Sequence, residues 1–217
     1  MNTLLTLYRS SVGKKVVMSL SGLFLCVFLV VHLSGNFLLF KNDSGVAFDA
    51  YSEFMSTNFF TRTIEIILFA AFIGHIVSGV VVWRVNRRAR PEPYGRYKLS
   101  DTTGLASRHT MLTGSIVFIF LVVHMKTFWY GSRFAAVKPS MYQLVSSAFS
   151  SSSYVFFYLI ALVLLGYHLR HGFQSAFQTL GLRGKKYIGL LDAVAVIFWL
   201  LIPLGFGSMP AYFLWFK

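Results

Sequence analysis

The chain has 217 residues, of which 56% are apolar and only 12% charged. A soluble domain carries roughly 25% charged residues, so a water-soluble domain is excluded. Twenty Lys and Arg stand against seven acidic residues, a formal charge of +13, yet nucleic-acid modules with such a charge are not this apolar. A single cysteine, Cys26 in an apolar run, excludes a disulfide framework, a Cys-rich iron–sulfur or zinc site and the C-x-x-C-H haem-attachment string. The composition is that of an integral membrane protein with little mass left for a soluble domain.

A membrane helix needs about 20 mostly apolar residues. Five stretches meet this, predicting spans near 16–40, 63–84, 109–131, 153–175 and 188–210 of one membrane domain, 1–217. Val16 to Phe40 is uncharged between Lys15 and Lys41. It is too long for a removable signal peptide and lacks the small-residue cleavage pattern. Then Asn42-Asp43-Ser44-Gly45 signals a turn, and the aromatic stretch after it suits a short interfacial helix. Ile66 to Trp83 runs uncharged between Glu65 and Arg84. Residues 85–108 form a basic loop with Pro91 and Pro93, polar enough to be solvated or to dock a partner. His109 to Met125 leads into Thr127-Phe128-Trp129-Tyr130, an aromatic belt suited to the interface. Tyr154 to Leu169 follows the serine stretch Ser146 to Ser153 and continues past Arg170. Ala193 to Phe216 is uncharged, with Pro203 as a kink or end point.

The basic residues orient these spans. Fourteen of the twenty lie before span one, between spans two and three, or at the junction of spans four and five. The positive-inside rule then places the N-terminus in the cytoplasm and the C-terminus outside.

Four of six histidines, His32, His75, His124 and His168, fall inside four different spans. An ionisable side chain within a membrane is costly and marks a functional site by default; the bland alternative is an interhelical hydrogen bond. His32 lies 17 residues from Lys15 and His124 16 from Arg108, which puts both about 25 Å above the cytoplasmic anchors. His75 lies nine residues from Arg84, roughly 14 Å up, and His168 matches its depth when counted from the outer side. Four ligands at two levels, two per level, are the geometry of two bis-histidine haems stacked in a helix bundle. Without an attachment motif these are non-covalent haems b. Ser78 and Gly79 beside His75, Gly172 and Ser175 beside His168, and Gly35 beside His32 leave room for a flat macrocycle, or simply let helices approach closely. Arg170 and His171 suit a haem propionate, because Arg pairs well with carboxylates; the bland role for Arg170 is an interfacial anchor. His109 stands at the cytoplasmic end of span three, away from both levels.

Several strings carry a family resemblance. Ser11-Val12-Gly13-Lys14-Lys15, Leu20-Ser21-Gly22 and Val31-His32-Leu33-Ser34-Gly35-Asn36 resemble the start of the succinate dehydrogenase/fumarate reductase cytochrome b subunit of the di-haem b558 type. Arg108-His109 through Val123-His124, and Tyr167-His168-Leu169-Arg170-His171-Gly172-Phe173-Gln174-Ser175-Ala176-Phe177-Gln178, are similar to its third and fourth spans. The resemblance covers nearly the whole chain. It implies an all-α five-helix membrane anchor with two haems b, whose four ligands fall on His32, His75, His124 and His168. It further implies a flavoprotein and an iron–sulfur subunit on the cytoplasmic face, and exchange with a membrane quinone, usually menaquinone. Succinate chemistry would lie outside this chain, and the location would be the bacterial cytoplasmic membrane. His75 and His168 would serve the haem near the dehydrogenase, His32 and His124 the farther one. One departure stands out: some fumarate reductases of this type carry a glutamate two residues before the fourth ligand, linked to transmembrane proton movement. Here that position is Gly166, which counts against such a route.

The quinone site is not legible in the sequence. Asp49, Glu53 and Glu65 are its acidic candidates on the outer side; each also reads as a solvated loop or helix-end carboxylate. Two other functions remain open on the residues alone. One is a b-type cytochrome subunit of another dehydrogenase, of hydrogenase or formate dehydrogenase type. The other is a haem-free transporter or anchor that uses its histidines for protons or as interhelical contacts.

Overall fold

Backbone groups in lipid must be satisfied within their own segment, so apolar runs of this length can only be helices. The computed structural model describes residues 10–88, 109–135 and 138–217. Most of the predicted basic loop, from residue 89 onwards, lies outside the described residues.

Among the described residues the chain is helical and holds no strand. Helix α1 (Ser11–Asn36) starts on Ser10, whose side chain accepts from the Gly13 amide, and runs on into a 3₁₀ turn, Phe37–Phe40. The predicted turn follows: Asp43 accepts from the Gly45 and Ala47 amides, both at 3.0 Å. Gly45 takes φ +90°, which costs a glycine little. The short helix α2 (Val46–Thr57) and the long α3 (Phe59–Arg88) come next. Helix α4 (Thr110–Phe134) contains a π-helical stretch at Met125–Tyr130. Helix α5 (Met141–Phe149) opens with a capping box in which Ser140 and Gln143 each satisfy the other's amide. Helices α6 (Ser152–Thr179) and α7 (Ile188–Phe216) complete the chain.

Five helices, α1, α3, α4, α6 and α7, are long and apolar enough to cross a membrane. Each overlaps one of the five predicted stretches. Helix α6 is the central one, burying Val155, Tyr158, Ala161, Leu162, Gly166 and Leu169. One end of the bundle gathers Lys14, Lys15, Arg87 and Arg88 (the basic end). The other is closed by α2 and α5 (the capped end), where Leu39, Phe48, Val145, Phe149 and Phe213 share one buried core. There Asp49 Oδ1 accepts from the Tyr142 amide at 2.8 Å, latching α2 to α5.

Pro203 does not end the last helix. It has no N–H to offer the Trp199 carbonyl and its ring crowds that carbonyl, so the turn before it widens into a π-helical stretch, Ile197–Leu201, and α7 continues to Phe216. The Trp199 oxygen then meets α6: a Cβ built on Gly166 would stand 2.7 Å from it. Gly166 therefore marks backbone contact between two spans, and any side chain there would displace one of them.

Candidate functional site

Helices α1 and α4 bring His32 beside His124, with ring centroids 5.9 Å apart and planes at 86°. Helices α3 and α6 bring His75 beside His168, at 6.2 Å and 81°. The two pairs lie at different depths. The His75–His168 pair sits towards the basic end, next to residues 18–22 and 110–114. The His32–His124 pair sits towards the capped end among aromatic rings: Phe28 and Phe206 lie 5.2 and 5.5 Å from His32, and Phe128 lies 5.2 Å from His124.

Each imidazole has a distinct neighbour at Nδ1. His75 Nδ1 lies 3.2 Å from the Met18 carbonyl and 3.4 Å from Ser21 Oγ. His168 Nδ1 is buried beside Gly114 and has no hydrogen-bond partner among the described residues. His124 Nδ1 lies 2.6 Å from the Tyr158 hydroxyl, and His32 Nδ1 lies 3.4 Å from Asn36 Nδ2. Among the described residues no hydrogen bond engages the four Nε2 atoms.

The surroundings of the His75–His168 pair repeat along the chain. Met18, Ser21 and Gly22 stand 14, 11 and 10 residues before His32; Thr110, Thr113 and Gly114 stand at the same distances before His124. A Cβ on Gly22 would lie 3.1 Å from His75 Cε1, and one on Gly114 would lie 3.2 Å from His168 Cε1. The Ser21 and Thr113 hydroxyls both turn back onto carbonyls three and four residues earlier. Helices carrying one histidine pair thus cradle the other pair. This recurrence can be read in the sequence as a Ser/Thr-Gly step ten residues ahead of a membrane histidine, a signal longer in period than ordinary repeats.

These residues fit a haem. With metal–nitrogen bonds of about 2 Å, two imidazoles on opposite sides of one iron place their centroids roughly 6 Å apart, as both pairs do here. An axial histidine usually directs its other ring nitrogen to a carbonyl or another polar group, and His75 and His124 each meet an oxygen in this way. Gly79 and Gly172, one helical turn beyond His75 and His168, have nothing within 4 Å of a built Cβ, which leaves space beside each imidazole. Among the described residues no group of three or more His, Cys, Asp or Glu forms a metal centre; a haem asks only two of them.

The other sequence candidates separate. His171 lies on the His168 side of α6, close enough to interact with it electrostatically. Arg170 is not brought to that side: its guanidinium lies over the Trp199 ring at 5.3 Å, on the face that meets α7. His109 is exposed at the start of α4. Gly35 makes room for Tyr51 of α2, whose ring fills the place a Cβ would take. Asp49 is the latch to α5, and Glu53 is exposed on α2. Glu65 is the carboxylate that gathers a cluster: it accepts from Trp129 Nε1 at 2.6 Å, Arg133 at 2.9 Å and Arg62 at 2.8 Å. With Ile66 and Phe69 these residues line a cleft of about 400 Å³. Glu65 stands ten residues before His75, as Tyr158 stands ten before His168, so the cleft lies about 15 Å towards the capped end from that pair.

Comparison of the chain with known family models, with curated proteins and with solved structures finds no match.

Proposed function

We propose that the chain is the di-haem, quinone-reactive membrane anchor of a succinate:quinone oxidoreductase. The observation that carries this reading is the pair of facing imidazoles repeated at two depths, with centroids 5.9 and 6.2 Å apart. His32 and His124 would hold one haem b, and His75 and His168 the other. A haem held between two imidazoles exchanges single electrons and has no open position for a substrate. The chain's own contribution is to hold four imidazoles at fixed angles, shield the His32–His124 pair with aromatic rings and leave a gap beside Gly79 and Gly172.

The positive-inside rule turns the basic end towards the cytoplasm, where a flavoprotein and an iron–sulfur subunit would dock. The His75–His168 centre would then be the first to receive electrons from succinate. The His32–His124 centre would exchange them with a quinone, menaquinone by resemblance. The Glu65 cleft at the capped end has the character of a quinone site: apolar walls from Ile66 and Phe69, and convergent polar groups from Glu65, Trp129 and Arg133. His171 remains the propionate partner on the His168 side, while Arg170 fits the role of an interfacial anchor over Trp199.

Purification from the membrane with its partner subunits tests the reading. The expected result is a b-type reduced-minus-oxidised spectrum, developed on adding succinate, in a complex with a flavoprotein and an iron–sulfur protein. A hydrogenase or formate dehydrogenase partner would move the same relay to another complex. A preparation without a haem spectrum would leave the histidines as interhelical contacts.

A further inference from the structure

The two histidine pairs differ in what stands behind them. His75 turns Nδ1 towards the Met18 carbonyl of α1, while His168 Nδ1 is buried beside Gly114 with no hydrogen-bond partner among the described residues. Of the other pair, His32 faces Asn36 Nδ2, which already donates to the His32 carbonyl at 2.7 Å and so offers no acceptor. His124 alone in that pair meets a close side-chain oxygen, the Tyr158 hydroxyl at 2.6 Å.

Tyr158 is only 6% exposed, enclosed by Phe120 at 4.7 Å and Phe149 at 5.1 Å between ring centroids. Water is therefore a poor substitute for its hydroxyl. Beside it stands Tyr154, with ring centroids 5.1 Å apart and hydroxyls near enough to interact. The Tyr154 hydroxyl in turn donates to Thr127 Oγ1 at 3.0 Å.

We propose that Tyr158 is a positioning residue that makes His124 the electron-rich ligand of its pair and lowers the midpoint potential of the haem held there. The role rests on the haem reading above. An iron held by Nε2 would leave the remaining proton of His124 on Nδ1, where it would be donated to the Tyr158 oxygen. The Tyr158 proton then turns away from His124 towards Tyr154, and the Tyr154 proton towards Thr127. All donations run in one direction, outward to the capped end, and each polarises the next. An imidazole that donates its N–H to a good acceptor is a more basic ligand, and a more basic ligand favours ferric over ferrous iron. His32, lacking such an acceptor, contributes no matching effect.

The test is a potentiometric titration of the full complex carrying Tyr158→Phe, followed by optical and low-temperature EPR spectra of the ferric haems. The expected result is an unchanged haem content, an upward shift of one of the two midpoints with a change in that centre's low-spin signal, and no change in the other. Tyr154→Phe, which keeps the Tyr158 hydroxyl, should move the same component in the same direction by less. A haem-replete Tyr158→Phe complex with both midpoints unshifted overturns the role of Tyr158 and leaves the haem reading standing. If that variant does not assemble, Tyr154→Phe decides alone, and an absence of shift overturns the proposal. A wild-type complex without haem removes the haem reading, and this proposal with it.

Discussion

Gly22 of α1 lies against His75 of α3 so closely that a Cβ would stand 3.1 Å from the imidazole Cε1. The same relationship recurs between Gly114 of α4 and His168 of α6, at 3.2 Å. The first contact brings the Met18 carbonyl, one turn earlier on α1, to 3.2 Å from His75 Nδ1.

Gly22→Val should consequently push His75 out of line. Overpacking a fitted site costs about 1–3 kcal/mol, and here the group that must yield is the imidazole proposed as a haem ligand. The expected outcome is a fall from two haems per chain to one, with the surviving spectral component being that of His32 and His124. Quantitative pyridine haemochrome analysis reads the ratio. Gly22→Ala should be milder, because the ring need yield only a few tenths of an ångström.

Glu65→Gln removes the charge that pairs with Arg62 and Arg133 while keeping a side chain of similar shape. Turnover with a soluble quinone analogue should fall by about tenfold or more, the equivalent of roughly 1.4 kcal/mol. Haem content and reduction of the haems by succinate should stay as they were. Glu53→Gln, on the exposed face of α2, should change neither. Equal turnover in wild type and Glu65→Gln would exclude this cleft as the exchange site.

Asp49→Ala should loosen the capped end. It leaves the half-buried Tyr142 amide at the start of α5 without its 2.8 Å acceptor, a loss of about 1 kcal/mol. Thermal unfolding in detergent should show a lowered midpoint, with the ratio of the two haem components preserved because neither pair touches the latch.

Lys217 supplies the pH dependence. Its ammonium donates to the Tyr142 hydroxyl at 2.6 Å, and this bond raises the Lys217 pKa above the ordinary 10.5. A group raised on folding stabilises fully below its unfolded pKa and loses that contribution as pH climbs through the folded one. Wild type should therefore exceed Lys217→Met in thermal midpoint at neutral pH, by a small margin since the group is exposed. The margin should close above 10.5.

The spans and the four histidines are legible because lipid imposes a simple rule on length and charge. Counting residues from the ends of the apolar runs, basic or not, places the histidines at two depths. Of the two readings of Pro203, the end point falls away, because a π-helical turn precedes it and the helix continues. Gly35 looks like room for a macrocycle, but the space belongs to Tyr51. Tyr158 carries no local signal: it is one aromatic among many, and only the crossing of α4 and α6 brings it to His124. Glu65 stands out from Asp49 and Glu53 for a similar reason, since Trp129 and Arg133 reach it from 64 and 68 residues away.

The most direct test of two haems held by crossed histidine pairs is a potentiometric titration of the four single His→Ala variants that still reach the membrane. His75→Ala and His168→Ala should each remove one and the same midpoint component. His32→Ala and His124→Ala should each remove the other. If His75→Ala and His32→Ala abolish the same component, or if wild type titrates as a single haem, the paired arrangement is wrong.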